Sequence, residues 1–428
     1  MPLRVFAIAL AILAVACEKP SHENVDKWTH TEHGEGKLES ALKDESLDPD
    51  LAAHAGANLL RLNRDPVVWK SIGDMAPPRR AAVAAKLAGR LWEAARVDGE
   101  LVPGPEPVRA KDGLVELRKL ADEATRAQID TYLLDWYCVP SYEARATRGA
   151  VLGPTVIRLL GAPAGKKLMP VLDAIVTAPA NGNKHQRVGD ELLLALAVSG
   201  DPAAVKYLVD LVRLKSVDQT LPERAMTALY RAYIDPQALF DVQVPDALAP
   251  NIDALVAIAR DPATPPNAAG DALKLVRTIG PPRCIAPLVG MVGYPHPNPR
   301  FKLSAADSAL KCGGAPAIHD VVDALPNVPY ERDELFGAVV ADIVQMPPAQ
   351  ALPAVRALLA EPGRIPRWVA IEALAAMKST ADAHAIAAIS SSEKLLGYWG
   401  DQSDVDPKNR KAEPTLGQRA KELAAGLK

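Results

Sequence analysis

ALKLVRTIGPPRCIAPL, the sequence of residues 272–288, has one apolar-rich stretch before a Gly-Pro-Pro turn and begins another directly after it. Alanine and leucine favour helix, whereas glycine and proline end one. The segment therefore predicts two helices joined by a tight turn.

The same order recurs downstream, at 309–321 (ALKCGGAPAIHDV), 339–355 (VVADIVQMPPAQALPAV) and 373–386 (ALAAMKSTADAHAI). The first apolar residues after successive turns are 37, 34, 46, 33, 34 and 34 residues apart. Such periods indicate stacked helical hairpins. The long interval predicts extra residues near 242–261, which add a loop and lengthen the first helix of their pair. The marker residues are Leu168, Val205, Leu239, Ile285, Ile318, Leu352 and Ile386.

Composition agrees with an all-α fold. The chain of 428 residues is long for one compact domain, has only 4% aromatic residues and contains 38 prolines, which suit many short helices. Long alternating β-branched runs, which strands would need, are missing. The net charge of −3 gives no reason to expect nucleic acid as a partner.

The repeat pattern resembles HEAT and related armadillo-type repeats over about residues 165–390, with a further pair indicated at 35–69. The resemblance implies an α-solenoid of antiparallel helical hairpins wound into a superhelix. Each hairpin then buries its apolar faces against its neighbours only, and the second helices line the concave face. Tetratricopeptide hairpins share the period, but their pattern of Trp, Gly-Tyr and Pro is not evident. The small residues predicted at close helix contacts are Gly189, Ala225, Gly270, Ala305, Gly337 and Ala370.

Five regions follow from these patterns. We expect a lipoprotein signal peptide at 1–16, a flexible tether at 17–36, a helical region with irregular repeats at 37–160, HEAT-like repeats at 161–392, and a loop with a C-terminal capping helix at 393–428. An aromatic group inside the helical region at 37–160 either fills the core or forms a ligand platform. It consists of Tyr132, Trp136 and Tyr137, followed by Cys138.

The N-terminus has the pattern of an export signal. Arg4 precedes the apolar run VFAIALAILAVA, which is only twelve residues long, whereas a membrane-spanning helix needs about 20. The sequence Ala14-Val15-Ala16-Cys17 then resembles the lipobox of bacterial lipoproteins, although leucine is usual where Ala14 stands. The resemblance implies that Cys17 carries palmitate-type acyl chains and becomes the mature N-terminus. The alternatives are an ordinary secretory signal cleaved nearby and an uncleaved anchor.

The residue after Cys17 bears on localisation. An aspartate there resembles the retention signal of the inner membrane, and this chain has Glu18 instead. We therefore expect a lipid-anchored protein of the cell envelope, at the outer membrane rather than the inner one.

Motifs for chemistry are sparse. The sequence contains no phosphate-binding glycine loop, HExxH, GxSxG or CxxC pair. His30 and His33 flank Glu32 and are weak candidates for a metal site, with tether chemistry as the alternative. Cys284 and Cys312 could bridge in an oxidising compartment, and the sequence leaves this open.

The predicted second helices carry more basic than acidic residues. A groove of mild positive potential could receive an acidic segment of another envelope protein, or these residues could simply face solvent. The candidate partner-binding residues are Arg187, Arg224, Arg231, Lys274, Arg277, Lys302 and Lys311, with Arg367 as a further member.

These observations favour a non-enzymatic scaffold or adaptor that binds another envelope protein through the concave face of the solenoid. We expect no cofactor, and the sequence gives no indication of a small-molecule ligand. The alternative is an enzyme or cofactor-handling protein, lyase-like, on a HEAT-like scaffold. Clustered titratable residues in one deep pocket would favour that alternative. A spacer within a larger complex is the third possibility.

Overall fold

The computed structural model describes residues 19–97, 102–178, 187–214, 219–235, 245–298, 300–325, 329–400 and 402–427. Cys17, the predicted signal peptide and the marker Leu239 lie outside the described residues. Within them, regular secondary structure is helical apart from a single bridge between Lys394 and Thr415. The predicted all-α fold, a solenoid of helical hairpins, is confirmed.

Contacts between Cα atoms divide the chain into two compact units. Unit 1 contains the described residues up to 178 together with 188–195, and so extends past residue 160, where we expected the regular repeats to begin. Unit 2 contains Arg187 and the described residues from 196 onward. In the part of the chain that is described, no helix has the length and apolar content needed to span a membrane.

Unit 1 is built from helices that pack in two rows. The helices of unit 1 are α1 (His22–Trp28), α2 (Gly34–Lys43), α3 (Pro49–Arg61), α4 (Asp65–Asp74), α5 (Pro77–Ala95), α6 (Pro105–Leu120), α7 (Glu123–Tyr137), α8 (Tyr142–Ala146), α9 (Gly153–Leu160) and α10 (Ala162–Thr177). One row contains α3, α5, α7 and α9, and the other contains α2, α4 and α6.

Local sequence explains where these helices begin. At α3, the carboxylate of Asp48 accepts a hydrogen bond from the backbone N–H of Asp50 at 2.7 Å, and Pro49 occupies the first helical position. A capping side chain and a proline at this point both favour a helix start. Leu51, Ala55 and Leu59 then form the buried face of α3.

The predicted flexible tether at 17–36 is wrong for the part that is described. Ser21 caps α1 through the N–H of Asn24, and Val25 and Trp28 are buried in unit 1. The amide of Asn58 on α3 donates to the carbonyl of Val25 at 3.2 Å. Two apolar residues three apart are enough to dock this short helix, because they lie on the same face.

The aromatic group at the end of α7 fills the core. Trp136 and Tyr137 are buried, and the indole N–H of Trp136 donates to the carbonyl of Ala95 at 3.0 Å. Tyr132 lies nearer the surface, where it stacks on Trp92 with ring centroids 4.8 Å apart. Of the two interpretations left open by the sequence, core filling fits Trp136 and Tyr137.

A buried lysine holds this core to the loop that follows α8. The side chain of Lys111 is 0% exposed and lies 5.6 Å from the ring centroid of Trp136. Its ammonium donates to the carboxylate of Asp112 and to the carbonyls of Arg148 (3.2 Å) and Val151 (2.7 Å). These three acceptors compensate for the removal of the charge from water.

Unit 2 repeats one hairpin plan. Helix α11 (Asp190–Val198) has residues in both units. The helices that follow it are α12 (Pro202–Arg213), α13 (Leu221–Tyr233), α14 (Pro245–Leu248), α15 (Ile252–Arg260), α16 (Pro266–Thr278), α17 (Ile285–Val292), α18 (Arg300–Gly313), α19 (Ile318–Asp323), α20 (Pro329–Gln345), α21 (Pro348–Ala360), α22 (Arg364–Ala376), α23 (Ala383–Ala387) and α24 (Leu416–Gly426). The second helices α13, α16, α18, α20, α22 and α24 pack in succession, and the first helices α12, α15, α17, α19 and α21 form the other row.

The insertion near 242–261 differs from the prediction. It forms the separate short helix α14 and a 3-10 turn at Ala249–Asn251, after which α15 has only nine residues. The extra residues therefore do not lengthen the first helix of the pair. Pro250 is the physical reason, because it lacks the N–H that a helix continuing from α14 into α15 would need.

Cys284, just before α17, and Cys312, in α18, form a disulfide with their Cα atoms 6.5 Å apart. This separation lies within the usual range for a bridge. The sequence left this pairing open, because residues 28 apart in the chain are brought together only when the hairpin closes.

Two of the small residues predicted at close helix contacts do not have that role. A Cβ atom added at Gly270 or Gly337 would meet no atom within 4 Å. Both glycines therefore face open space, and no close helix approach explains them.

We predict that Lys111→Met destabilises the protein by about 3 kcal/mol, because it leaves two carbonyls and a carboxylate without their shared donor. Urea unfolding measures this change. The matched substitution Lys119→Met, on the exposed side of α6, should change stability by less than about 0.5 kcal/mol. Equal effects of the two substitutions would contradict a structural role for Lys111.

Candidate functional site

A groove of about 740 Å³ lies in unit 1 between α3, α5 and α6. We call it the α3/α5/α6 groove. Helix α3 contributes one wall, α5 the second and the start of α6 the third. The lining residues are Asp50, His54, Ala57, Asn58, Leu60, Arg61, Ala85, Lys86, Gly89, Arg90, Leu91, Glu93, Ala94, Glu106, Pro107, Arg109 and Ala110.

Small side chains create the space in this groove. Ala57, Ala85, Gly89 and Ala94 project too little to fill the gap between the helices. A Cβ atom added at Gly89 would meet no atom within 4 Å, so the groove is open at that point. The lining is thus partly apolar and presents little side-chain bulk to an incoming group.

Charged residues of both signs surround the small ones, and several are paired. Arg90 donates to Asp50 at 2.8 Å, and Arg61 lies 3.4 Å from Glu106. Burial acts to raise the pKa of the Asp50 carboxyl group, but the hydrogen bond and charge of Arg90, together with the charges of His22 and Lys86, lower it overall. Because of these ion pairs, the charged residues that line the groove have neither a dominant positive nor a dominant negative charge.

Two histidines meet at one end of the groove. The Nδ1 atoms of His22 and His54 are 2.9 Å apart, so one donates and the other accepts. Nε2 of His54 lies 2.7 Å from a carboxylate oxygen of Asp26. Burial lowers the pKa of His54, the charges of Arg90 and His22 lower it further, and Asp26 acts against them. The structure therefore favours the neutral imidazole at His54.

The two histidines that the sequence suggested as metal ligands do not lie in this groove. His30 and His33 are exposed, and neither joins a group of three possible metal ligands among the described residues. Such a group is instead formed by His319, Asp323 and Glu361, whose ligand atoms lie within 4.8 Å of one another. Sequence spacing could not find it, because Glu361 follows the next first helix.

The predicted partner-binding residues of unit 2 lie among acidic ones. Lys274 pairs with Asp271 at 3.0 Å, and Asp307 lies 3.7 Å from Arg277 and 2.5 Å from Lys311. The second helices therefore carry mixed charge along this stretch.

The other candidate residues differ in exposure. Lys302 is buried, Arg224 and Arg367 are half-buried, and Arg231 and Arg187 are exposed. Arg187 precedes α11 and does not lie on a helix. The structure thus does not gather these side chains into one uniformly exposed surface.

Unit 2 has a groove of its own, about 520 Å³ in volume, which we call the α13/α16/α18 groove. Lys274 lies 5.1 Å from the ring centroid of Tyr230 in its wall, and Gly270 faces its open space. This groove is smaller than that of unit 1, and it includes only Lys274 of the predicted basic residues.

Comparison with known proteins gives structural similarity only. No protein-family model matches the chain, and no relative is found among curated proteins. An engineered protein is 17% identical, with 92% of this chain and 98% of that chain covered and a TM-score of 0.31. Human deoxyhypusine hydroxylase is 16% identical, with 71% of this chain and 99% of that chain covered and a TM-score of 0.22. Importin beta is 12% identical, with 96% of this chain and 53% of that chain covered and a TM-score of 0.31. This chain therefore spans about half the length of importin beta. TM-scores this low assign no function to this chain.

We predict that His54 makes the protein less stable in acid. The pKa of His54 is lower in the folded state than the value of about 6.5 for an unfolded chain. The unfolded state therefore binds the proton more readily, and stability falls as the pH drops below about 6.5, by at most about 1.4 kcal/mol per pH unit for this one group. Urea unfolding between pH 7.5 and 5.5 should show a smaller loss in His54→Gln than in the unmodified protein. Identical pH profiles would contradict the assignment.

Proposed function

We propose that this chain is a non-enzymatic, lipid-anchored scaffold of the cell envelope that binds a segment of another envelope protein in the α3/α5/α6 groove. The observation that carries the proposal is the groove itself, with its small apolar residues between charged residues of both signs.

Three helices line the groove and leave about 740 Å³ of space between them. Helical segments commonly bind by placing apolar side chains in a groove between helices. Here the open positions at Ala57, Gly89 and Ala94 would receive those side chains, while Arg61, Glu106 and their neighbours would contact the polar edges of the segment.

We also propose that acyl chains on Cys17 anchor the protein in the membrane. The apolar run before Cys17 and the lipobox-like sequence support acylation at Cys17, and Glu18 supports the outer membrane. More than one acyl chain gives stable membrane attachment, since each buried methylene contributes about 0.8 kcal/mol. The proposed partner is accordingly a protein of the same envelope.

The test compares three glycine-to-leucine substitutions at positions where an added side chain meets open space. Gly89→Leu fills the α3/α5/α6 groove, Gly270→Leu fills the α13/α16/α18 groove, and Gly73→Leu changes α4 outside both. Leucine is favoured over glycine in helices, so none of the three should weaken folding. We predict that Gly89→Leu weakens partner binding at least about tenfold, equivalent to about 1.4 kcal/mol, while Gly73→Leu leaves it unchanged.

Binding is measured in two steps. The lipidated, tagged protein is purified from solubilised envelope, the co-purified partner is identified, and its affinity for each variant is then determined. A variant with Arg224, Arg231, Lys274 and Arg277 changed to Glu tests the basic residues of the second helices. Loss of binding in Gly270→Leu or in this variant, with Gly89→Leu unaffected, would show that the proposed groove is wrong.

The enzyme or cofactor-handling alternative has one observation in its favour. His54, Asp26, Asp50 and Arg90 bring titratable groups together at one end of the groove. Native mass spectrometry of the protein purified from envelope separates the two functions. A bound small molecule that is lost in His54→Gln would favour the alternative, and the mass of the lipidated chain alone favours the scaffold.

A further inference from the structure

The chain between the proposed acylation site and the folded body is short. Cys17 and His22, the first residue of α1, are five residues apart, and a fully extended chain of that length spans at most about 18 Å. This bound holds for any conformation of the intervening residues. The inference below rests on the proposed lipid anchor.

Helix α1 adds no free length, because it is held firmly in unit 1. Val25 and Trp28 are buried, the amide of Asn58 donates to the carbonyl of Val25, and Asp26 lies 2.7 Å from His54. Residues 22–28 therefore move with the body instead of extending the tether.

The start of α1 also lies at the edge of the α3/α5/α6 groove. Nδ1 of His22 is 2.9 Å from Nδ1 of His54, and Nε2 of His22 is 3.5 Å from a carboxylate oxygen of Asp50. His54 and Asp50 both line the groove. His22 therefore touches the edge of the groove. The distance from Cys17 to that edge exceeds the distance from Cys17 to His22 by no more than about the length of one side chain.

We infer that acylation at Cys17 holds the His54 edge of the α3/α5/α6 groove within about 25 Å of the phospholipid headgroups. Acyl chains on Cys17 lie in the hydrocarbon layer, so the backbone of Cys17 lies at headgroup level. The groove then receives a membrane-proximal segment of its partner.

Electrostatic attraction to the membrane does not determine the distance between the groove and the lipid headgroups. Lys19 and Lys86 are exposed, but Asp50 and Glu93 line the same groove as Lys86, and Glu23 pairs with Lys27. The surface is therefore too mixed to adsorb to anionic lipid by electrostatic attraction. The covalent spacer fixes the distance, and added salt should not change it.

The distance is tested by energy transfer from a donor dye at Lys86→Cys to acceptor dyes on phospholipid headgroups, in lipidated protein reconstituted into vesicles. Cys138→Ala removes the remaining free thiol, which reacts slowly in any case because burial raises its pKa to about 12. The comparison protein carries a Gly-Ser insertion of 20 residues between Pro20 and Ser21, which adds about 25 Å of root-mean-square length.

We expect strong energy transfer in the native-length protein, a clear loss of transfer in the extended variant, and no change in either at 0.5 M salt. Weak transfer at native length, or equal transfer in both proteins, would overturn the inference. The mass of the N-terminal peptide is measured on the same samples. An unmodified Cys17 would overturn the anchor and this inference together, whereas an acylated Cys17 with weak transfer would overturn this inference and leave the anchor intact.

Discussion

Within each unit, the described hairpins depend on burying apolar faces against their neighbours in that unit. In unit 2, Leu273 of α16 and Leu310 of α18 are almost completely buried in the row of second helices, and Leu288 of α17 is buried in the row of first helices. Packing in the described part of each unit runs from one hairpin to the next, so stability is approximately a sum of interfaces between neighbours. Where neighbouring helices carry small residues the interface leaves a gap, and the grooves form at these gaps.

The same constraint explains what the sequence could predict. Apolar spacing and Gly or Pro turns are local properties, and residues 272–288 indeed form the end of α16, a turn with Gly280 at a φ of +83°, and α17. The docking of α1 was missed because only Val25 and Trp28 interrupt a polar segment. The insertion near 242–261 was misjudged because its prolines divide it into short pieces.

The site was harder to find than the fold. The α3/α5/α6 groove joins residues as far apart as Asp50 and Ala110, and alanine or glycine has the same appearance in a sequence whether it allows close packing or leaves open space. Gly270 shows the ambiguity, since it was expected at a helix contact and faces a groove. The basic residues of the second helices were visible in the sequence, but their partners Asp271 and Asp307 were not identified until the helices were placed.

The central claim is that the α3/α5/α6 groove holds a segment of an envelope protein. Site-specific photocrosslinking in intact cells tests it most directly, with benzoylphenylalanine at Glu93, an exposed residue of the groove lining, and at Gly73 outside the groove. The account predicts one protein crosslinked from Glu93, lost when Gly89→Leu is added, and no crosslink from Gly73. Equal crosslinking from both positions, or crosslinking from Glu93 that persists with Gly89→Leu, would contradict it.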